Sequence, residues 1–139
     1  MPPSRSTPGA TVAFTKLVVR DLERMACFYR DAYGLHAVQR VRGERIGAEE
    51  IDEIMLSADP AATWGSLVLL AYLGRGTSPS GEVILGFTTD DLPALLERVR
   101  GAGGMVRVPV QEMPERKLRV AFASDPEGHL AELVQLVPS

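Results

Sequence analysis

The chain has 139 residues and a formal net charge of −3, from 15 basic and 18 acidic residues. This length is typical of one domain with a hydrophobic core, and 45% hydrophobic against 24% charged residues excludes disorder throughout. Without a basic excess, nucleic acid is not an expected partner, and no apolar run approaches the roughly 20 residues that span a bilayer, so no membrane association is expected either.

The first half of the chain reads as one strand, one helix and three more strands. Residues 1–10, rich in Pro, Ser and Gly, are predicted to form a flexible N-terminal arm, and residues 11–139 a single domain. A helical pattern follows the first strand and places one set of apolar residues on a single face: Leu22, Met25, Ala26, Tyr29, Ala32 and Tyr33. The strands are predicted at residues 13–19, 36–42, 50–57 and 66–73, before a loop of turn-forming residues at 74–81.

The second half repeats this pattern. Asp91 and Gly104 each lie 70 residues after their counterparts, Asp21 and Gly34. Each Asp is expected to cap the start of a helix, and each glycine region to end one. Strands are predicted at residues 82–88, 105–110, 117–123 and 130–137. The chain therefore reads βαβββ twice, with modules at about 11–74 and 81–138.

Three segments carry a family resemblance. LVVRDLER (17–24) runs into FY and YGL in the first half, FTTDDL (87–92) opens the second half, and AFASDPEGHLAEL (121–133) closes it. In this order and spacing they resemble the vicinal oxygen chelate superfamily of glyoxalases, bleomycin resistance proteins and extradiol dioxygenases. The resemblance implies an α+β fold, in which two tandem βαβββ modules form curled mixed sheets with a barrel-like cleft and helices outside. It also implies a homodimer, with a cleft built from one chain or from two.

The resemblance also implies where a metal would bind. In enzymes of the family, one inward residue on the first strand and one on the last strand of each module bind a divalent ion. These positions map to Phe14, Leu69, Ile84 and Glu132, of which only the last offers a metal ligand. One carboxylate cannot hold a catalytic ion, and nearby Glu82 would add only a second ligand. We therefore predict no metal and no other cofactor.

Glu132 needs another explanation, because it lies among apolar residues on the predicted inward face. An unpaired carboxylate there is costly. Lys16 shares its side of the first strand with Phe14 and is expected to point into the same cleft. Two alternatives remain: Lys16 and Glu132 form an ion pair or contact one polar ligand group, or Lys16 reaches the rim and Glu132 meets a backbone amide or water.

The other candidate site residues are apolar or aromatic. Trp64, the only tryptophan, has three open roles: stacking on a ligand, shielding a dimer seam, or plain packing. The predicted ligand-binding set is Phe14, Lys16, Trp64, Leu69, Ile84, Phe122 and Glu132. Such a mostly apolar pocket with few polar groups is typical of a small-molecule site.

The remaining reactive side chains are expected to be structural. His36 and His129 are predicted to be solvated polar residues, and Cys27, in the middle of the first helix, a buried thiol. Because this single cysteine forms no internal disulfide and no apolar signal segment is apparent, we expect a cytoplasmic protein.

Three functional classes remain. The first is a protein that binds a small, largely apolar or aromatic molecule in the cleft without metal. The second is a metal-independent lyase or isomerase of glyoxalase-like type, with Glu132 as the catalytic acid or base. The third and weakest is a protein that acts only through its dimer surface. The sequence leaves open whether the chain is an enzyme and which ligand it takes.

Overall fold

The structure, a computed structural model, describes residues 14–46, 49–74 and 83–138. The first half contains β1 (Thr15–Val18), α1 (Leu22–Tyr33), β2 (His36–Ile46), β3 (Glu49–Ser57) and β4 (Leu67–Tyr72). The second half contains β5 (Ile84–Thr88), α2 (Leu92–Gly101), β6 (Met105–Met113), a 3-10 turn (Pro114–Arg116), β7 (Leu118–Ser124) and β8 (Leu130–Leu136). The predicted arm at residues 1–10 and Glu82 lie outside the described residues.

Each half forms its own four-stranded mixed sheet. The strand order is β1-β4-β3-β2 in the first sheet and β5-β8-β7-β6 in the second. The first and last strands of each half are parallel neighbours, and the other pairs are antiparallel. The sheets are curled but not closed, which confirms the predicted α+β fold of two βαβββ units.

Both helices begin at the predicted aspartates. The side chain of Asp21 accepts a hydrogen bond from the Arg24 amide, and that of Asp91 accepts one from the Ala94 amide, each at 3.1 Å. Such caps satisfy amides that have no partner within the helix. Among the described helices, none is long and apolar enough to cross a membrane.

Two strands extend beyond their predicted ends. The second was expected at 36–42 and the sixth at 105–110, but they continue to Ile46 and Met113. Both contain register shifts against their neighbours, β3 and β7. A bulge interrupts the alternation of side chains, so the alternating sequence pattern ends before the strand does.

One core joins the two halves. The helices pack on one face of each sheet. Buried apolar residues of the helices and of the strands form one continuous cluster, which includes Met25, Leu69, Val99 and Leu133. At the boundary, the rings of Tyr33 and Phe87 stack with centroids 4.0 Å apart. The faces of the sheets turned away from the helices are therefore the surfaces left for a ligand.

Candidate functional site

The first sheet presents Lys16 and Glu53 on the face turned away from the helices. Leu17 packs in the core, so its neighbour Lys16 points the other way. In the strand register Lys16 pairs with Val68, and Glu53 pairs with Leu70. Paired residues project to the same side of a sheet. These four residues define the first cleft face.

Leu69 does not lie on this face. It pairs with Leu17 in the strand register and is fully buried in the core beneath the helices. This corrects the expected orientation of Leu69. Its neighbour Val68 occupies the inward position, because Val68 pairs with Lys16 as Glu132 pairs with Gly86 in the second sheet. The error arose because a run of apolar residues, LVLLAY, gives no alternation from which to read the face.

Lys16 forms an ion pair with Glu53, not with Glu132. The Lys16 Nζ lies 2.7 Å from Glu53 Oε2, where the lysine side chain is 36% exposed and the glutamate side chain 5%. This buried oxygen has no other partner among the described residues, so the lysine ammonium is the group that compensates its charge. A charged pair at the edge of an apolar face provides polar groups that can orient a ligand.

An aromatic pair adjoins this ion pair. The rings of Phe14 and Trp64 meet edge to face with centroids 5.6 Å apart. Phe14 is 42% exposed and Trp64 is 52% exposed. The Lys16 Nζ lies 5.8 Å from the centre of the Phe14 ring. Three of the predicted ligand-binding residues are thus brought together at one end of the first cleft face.

The second sheet carries Glu132 on its face turned away from the helices, because its neighbours Ala131 and Leu133 pack in the core. Glu132 pairs with Gly86 on one side and with Phe122 on the other. It is half-buried, and no other described residue donates a hydrogen bond to it or forms an ion pair with it. Ile84 on the same face is 58% exposed. We call this surface, formed by Ile84, Gly86, Phe122, Glu132, Val134 and Leu136, the second cleft face.

A buried polar network joins the final turn of the chain to the first half. The Tyr29 hydroxyl donates to Asp125 Oδ2 at 2.8 Å. The two ring nitrogens of His129 lie 2.7 Å from Asp125 Oδ2 and 3.0 Å from the Val18 carbonyl. Since a carboxylate and a carbonyl only accept, both contacts are hydrogen bonds at once only in the charged imidazolium. The prediction that His129 is solvated is therefore wrong, because it is 6% exposed.

The network shifts two pKa values upward. Burial would lower the pKa of His129, but its hydrogen bond to Asp125, the charge of that carboxylate and the Val18 carbonyl together raise it. Burial, with the neighbouring Asp125 charge, raises the pKa of the Tyr29 hydroxyl far above its usual range. The network therefore favours the neutral form of Tyr29 and the charged form of His129.

Glu127 extends the contact between the halves. Its two carboxylate oxygens accept hydrogen bonds of 2.8 Å from the amides of Arg20 and Asp21, just before α1. An anion at a helix start is favourable because free amides and the helix dipole point at it. The DPEGH turn is therefore a structural junction.

Cys27 is exposed on α1, which corrects the prediction of a buried thiol. The buried stripe of the helix passes through Met25, Phe28 and Tyr29, and Cys27 falls beside it. The helical periodicity could have predicted that Cys27 is exposed, because the spacing of the apolar residues leaves position 27 outside the buried stripe.

Sequence reasoning missed Glu53. It lies between Ile51 and Met55 at alternating positions of β3, and both neighbours are buried. A charged residue on the same face as two buried apolar residues is the signal that could have identified it. The adjacent acidic residues in EEIDE masked that alternation.

Residues 11–133 match the sequence model of a protein family, the "Glyoxalase/Bleomycin resistance protein/Dioxygenase superfamily". The chain belongs to this superfamily. It is 31% identical to the Arabidopsis thaliana lactoylglutathione lyase over 126 residues, which cover 87% of the chain and 42% of that relative. The chain thus spans about two fifths of the length of the curated relative it matches.

Solved structures of the superfamily share the fold. A glyoxalase family protein from Bacillus cereus matches 98% of this chain and all of its own, with a TM-score of 0.79 and 18% identity. A mutant glyoxalase I from Zea mays matches 88% of this chain and 46% of its own, with a TM-score of 0.74 and 23% identity. At these low sequence identities, the structural similarity establishes that the fold is shared.

The metal positions that the superfamily implies do not fit a divalent ion here. With Val68 in place of Leu69, the described inward positions hold Phe14, Val68, Ile84 and Glu132, and only the last carries a donor. No group of three or more His, Cys, Asp or Glu side chains that could hold a metal occurs within the described residues.

Proposed function

We propose that this protein binds a small, largely apolar or aromatic organic molecule in the cleft, without the metal of its superfamily. One observation carries the proposal: the exposed aromatic pair of Phe14 and Trp64 stands beside the Lys16–Glu53 ion pair. A mostly apolar surface with a few fixed polar groups is the usual composition of a small-molecule site.

The aromatic pair supports the class of ligand. Phe14 and Trp64 leave about half of their surfaces in contact with water, and covering such rings with another ring is favourable. Beyond the burial of area, an aromatic pair contributes about 0.5–1.5 kcal/mol. Val68 and Leu70, on the same face of the first sheet, are buried apolar residues.

The neutral aromatic 1-naphthylmethanol tests this proposal by isothermal titration calorimetry. We expect saturable binding at one site per chain, weakened at least fivefold in Phe14→Ala and in Trp64→Ala. Met105→Ala is the matched control, because Met105 is an exposed apolar residue at the start of β6, and it should bind like wild type. No binding, or equal weakening in all three variants, would contradict the proposed site.

Metal independence is tested separately by elemental analysis after purification and by equilibrium dialysis against Zn²⁺ or Ni²⁺. We expect no stoichiometric, tightly bound divalent ion, because the described inward positions offer one carboxylate. Retention of one ion per chain, lost in Glu132→Gln, would refute this part of the proposal.

We further propose a homodimer that covers the second cleft face. Ile84 is 58% exposed and Leu136 is 70% exposed on this face, and exposed apolar patches mark interaction surfaces. Sedimentation equilibrium should report a dimer for wild type and a monomer for Leu136→Lys. Leu73→Lys is the control, because Leu73 is 52% exposed at the end of β4; a monomeric wild type would reject the dimer.

The alternative function is a metal-independent lyase or isomerase that uses Glu132. Its support is that Glu132 is half-buried on an apolar face with no hydrogen-bond donor among the described residues. Such a carboxylate is free to take a proton from carbon and to return it. Formation of S-lactoylglutathione from glutathione and methylglyoxal tests it, with Glu115→Gln as the exposed control. Activity that survives Glu132→Gln would exclude this role.

A further inference from the structure

The Lys16 ammonium occupies a position built for a positive charge. On one side lies the Glu53 carboxylate, with Oε2 2.7 Å from Nζ. On another lies the Phe14 ring, whose centre is 5.8 Å from Nζ. A carboxylate and an aromatic face within about 6 Å are the two groups that attract an ammonium in proteins. The combination defines a cation position at the end of the first cleft face.

The two partners in this ion pair differ in how firmly they are held. Glu53 is 4% exposed and lies in the middle of β3, between neighbouring strands. Lys16 has a side chain that is 36% exposed and lies on the edge strand β1. A lysine has a flexible four-carbon stem that lets its charge return to water. The carboxylate is therefore fixed, whereas the ammonium can be displaced.

Glu53 depends on Lys16 for compensation of its charge. Its Oε2 is buried, and among the described residues the lysine ammonium, 2.7 Å away, is the group in contact with it. A buried carboxylate that loses its cation is left with an uncompensated charge, which is strongly unfavourable. A ligand group that displaces Lys16 must therefore bring a positive charge to the same position.

We infer that Glu53 is the receptor for a positively charged amino group of the ligand, and that Lys16 holds this position in the free protein. This inference rests on the proposed function, since it names the polar group of the molecule whose ring covers Phe14 and Trp64. The ligand class is an aromatic amine in its ammonium form. On binding, Lys16 moves to solvent and the net charge around Glu53 is unchanged. An aromatic carboxylate would instead bring a second negative charge next to a buried one.

Three probes of one shape test the inference by isothermal titration calorimetry: 1-naphthylmethylamine, 1-naphthylmethanol and 1-naphthylacetate. In wild type we expect the amine to bind at least tenfold more tightly than the alcohol, and the carboxylate to bind most weakly. In Glu53→Gln, which keeps the shape, the amine and the alcohol should bind within twofold of each other. Glu115→Gln, at an exposed carboxylate, should keep the wild-type order.

Lys16→Met should change the binding of the amine in the opposite direction to Glu53→Gln. Removing the competing ammonium should increase the preference for the amine over the alcohol at least fivefold. Because this variant leaves Glu53 buried without its cation, it should also melt at a lower temperature, and the amine should restore more of that loss than the alcohol.

The outcomes distinguish the role of Glu53 from the proposed binding of an aromatic molecule at Phe14 and Trp64. If none of the probes binds, both fail. If the alcohol binds through Phe14 and Trp64 but the amine shows no advantage, or the carboxylate binds best, the aromatic site stands and the role of Glu53 is refuted. A preference for the amine that survives Glu53→Gln but disappears in Glu132→Gln would also refute it.

Discussion

The hydroxyl of Tyr29, in the helix of the first half, donates a 2.8 Å hydrogen bond to Asp125, in the last turn of the second half. The two residues are 96 positions apart in sequence. Both are buried, so the bond forms in the interior where water cannot replace it. It joins the two βαβββ units through a polar contact as well as through the apolar core.

Tyr29→Phe should therefore destabilise the protein. A hydrogen bond to a charged group contributes about 1.5–3 kcal/mol, and its removal leaves Asp125 one donor short. The measurement is the free energy of unfolding in urea. Tyr33→Phe is the matched control, because Tyr33 lies in the same aromatic cluster but no hydrogen bond of its hydroxyl is found among the described residues. Equal losses in the two variants would contradict the role given to the Tyr29 hydroxyl.

The stability of the protein should fall as pH rises above the ordinary pKa of histidine, near 6.5. The pKa of His129 is raised in the folded state, so its contribution is complete below that value and is lost as pH rises through the raised pKa. Urea unfolding between about pH 6 and pH 9 measures this slope. His129→Gln should flatten the slope, whereas His36→Gln, at the exposed second histidine, should retain it. A slope that persists in His129→Gln would assign the effect to another group.

Gly104→Ala should destabilise the protein by about 1–3 kcal/mol, the usual cost of overpacking. A Cβ at this position would lie 2.7 Å from the Ser124 carbonyl oxygen and 2.9 Å from the Phe28 ring. Gly101→Ala is the control, since a Cβ there meets nothing within 4 Å at the end of α2. Thermal denaturation should show a lower melting temperature for the first variant only. Similar melting temperatures would mean that the contact between helix end and strand can relax.

Glu127→Ala should cost about 1–2 kcal/mol, in the range found for the loss of a helix cap. The variant removes the acceptor of two amides, those of Arg20 and Asp21. Glu127→Gln keeps one acceptor oxygen and should lose about half as much. Amide hydrogen exchange at residues 20 and 21 is the direct measurement, and unchanged protection there in Glu127→Ala would show that the carboxylate is not their main partner.

The fold was predictable because its signals are local and repeated. Two aspartate caps, two helices of similar length and a shared 70-residue offset specify the order of the elements. The strand ends were less predictable, since the bulges in β2 and β6 break the alternation from which strand length is read.

The site was only partly predictable. That Phe14 and Lys16 share one side of the first strand could be predicted, because strand parity is visible within a single segment. The partner of Lys16 could not, since the choice between Glu132 and Glu53 depends on which strands are neighbours. Glu53 is on β3, whereas Glu132 is on the other sheet. His129 was misjudged for the same reason, because the Val18 carbonyl that it contacts is 111 positions earlier and only the folded chain brings them together.

The carboxylate of Glu127 holds amides that were synthesised more than 100 residues before it. During translation, the first half therefore leaves the ribosome without the acceptor for the start of its helix. Such distant contacts slow folding, because a long loop must close before they form. The two halves are consequently expected to fold together as a single cooperative unit, although the sequence consists of two repeats.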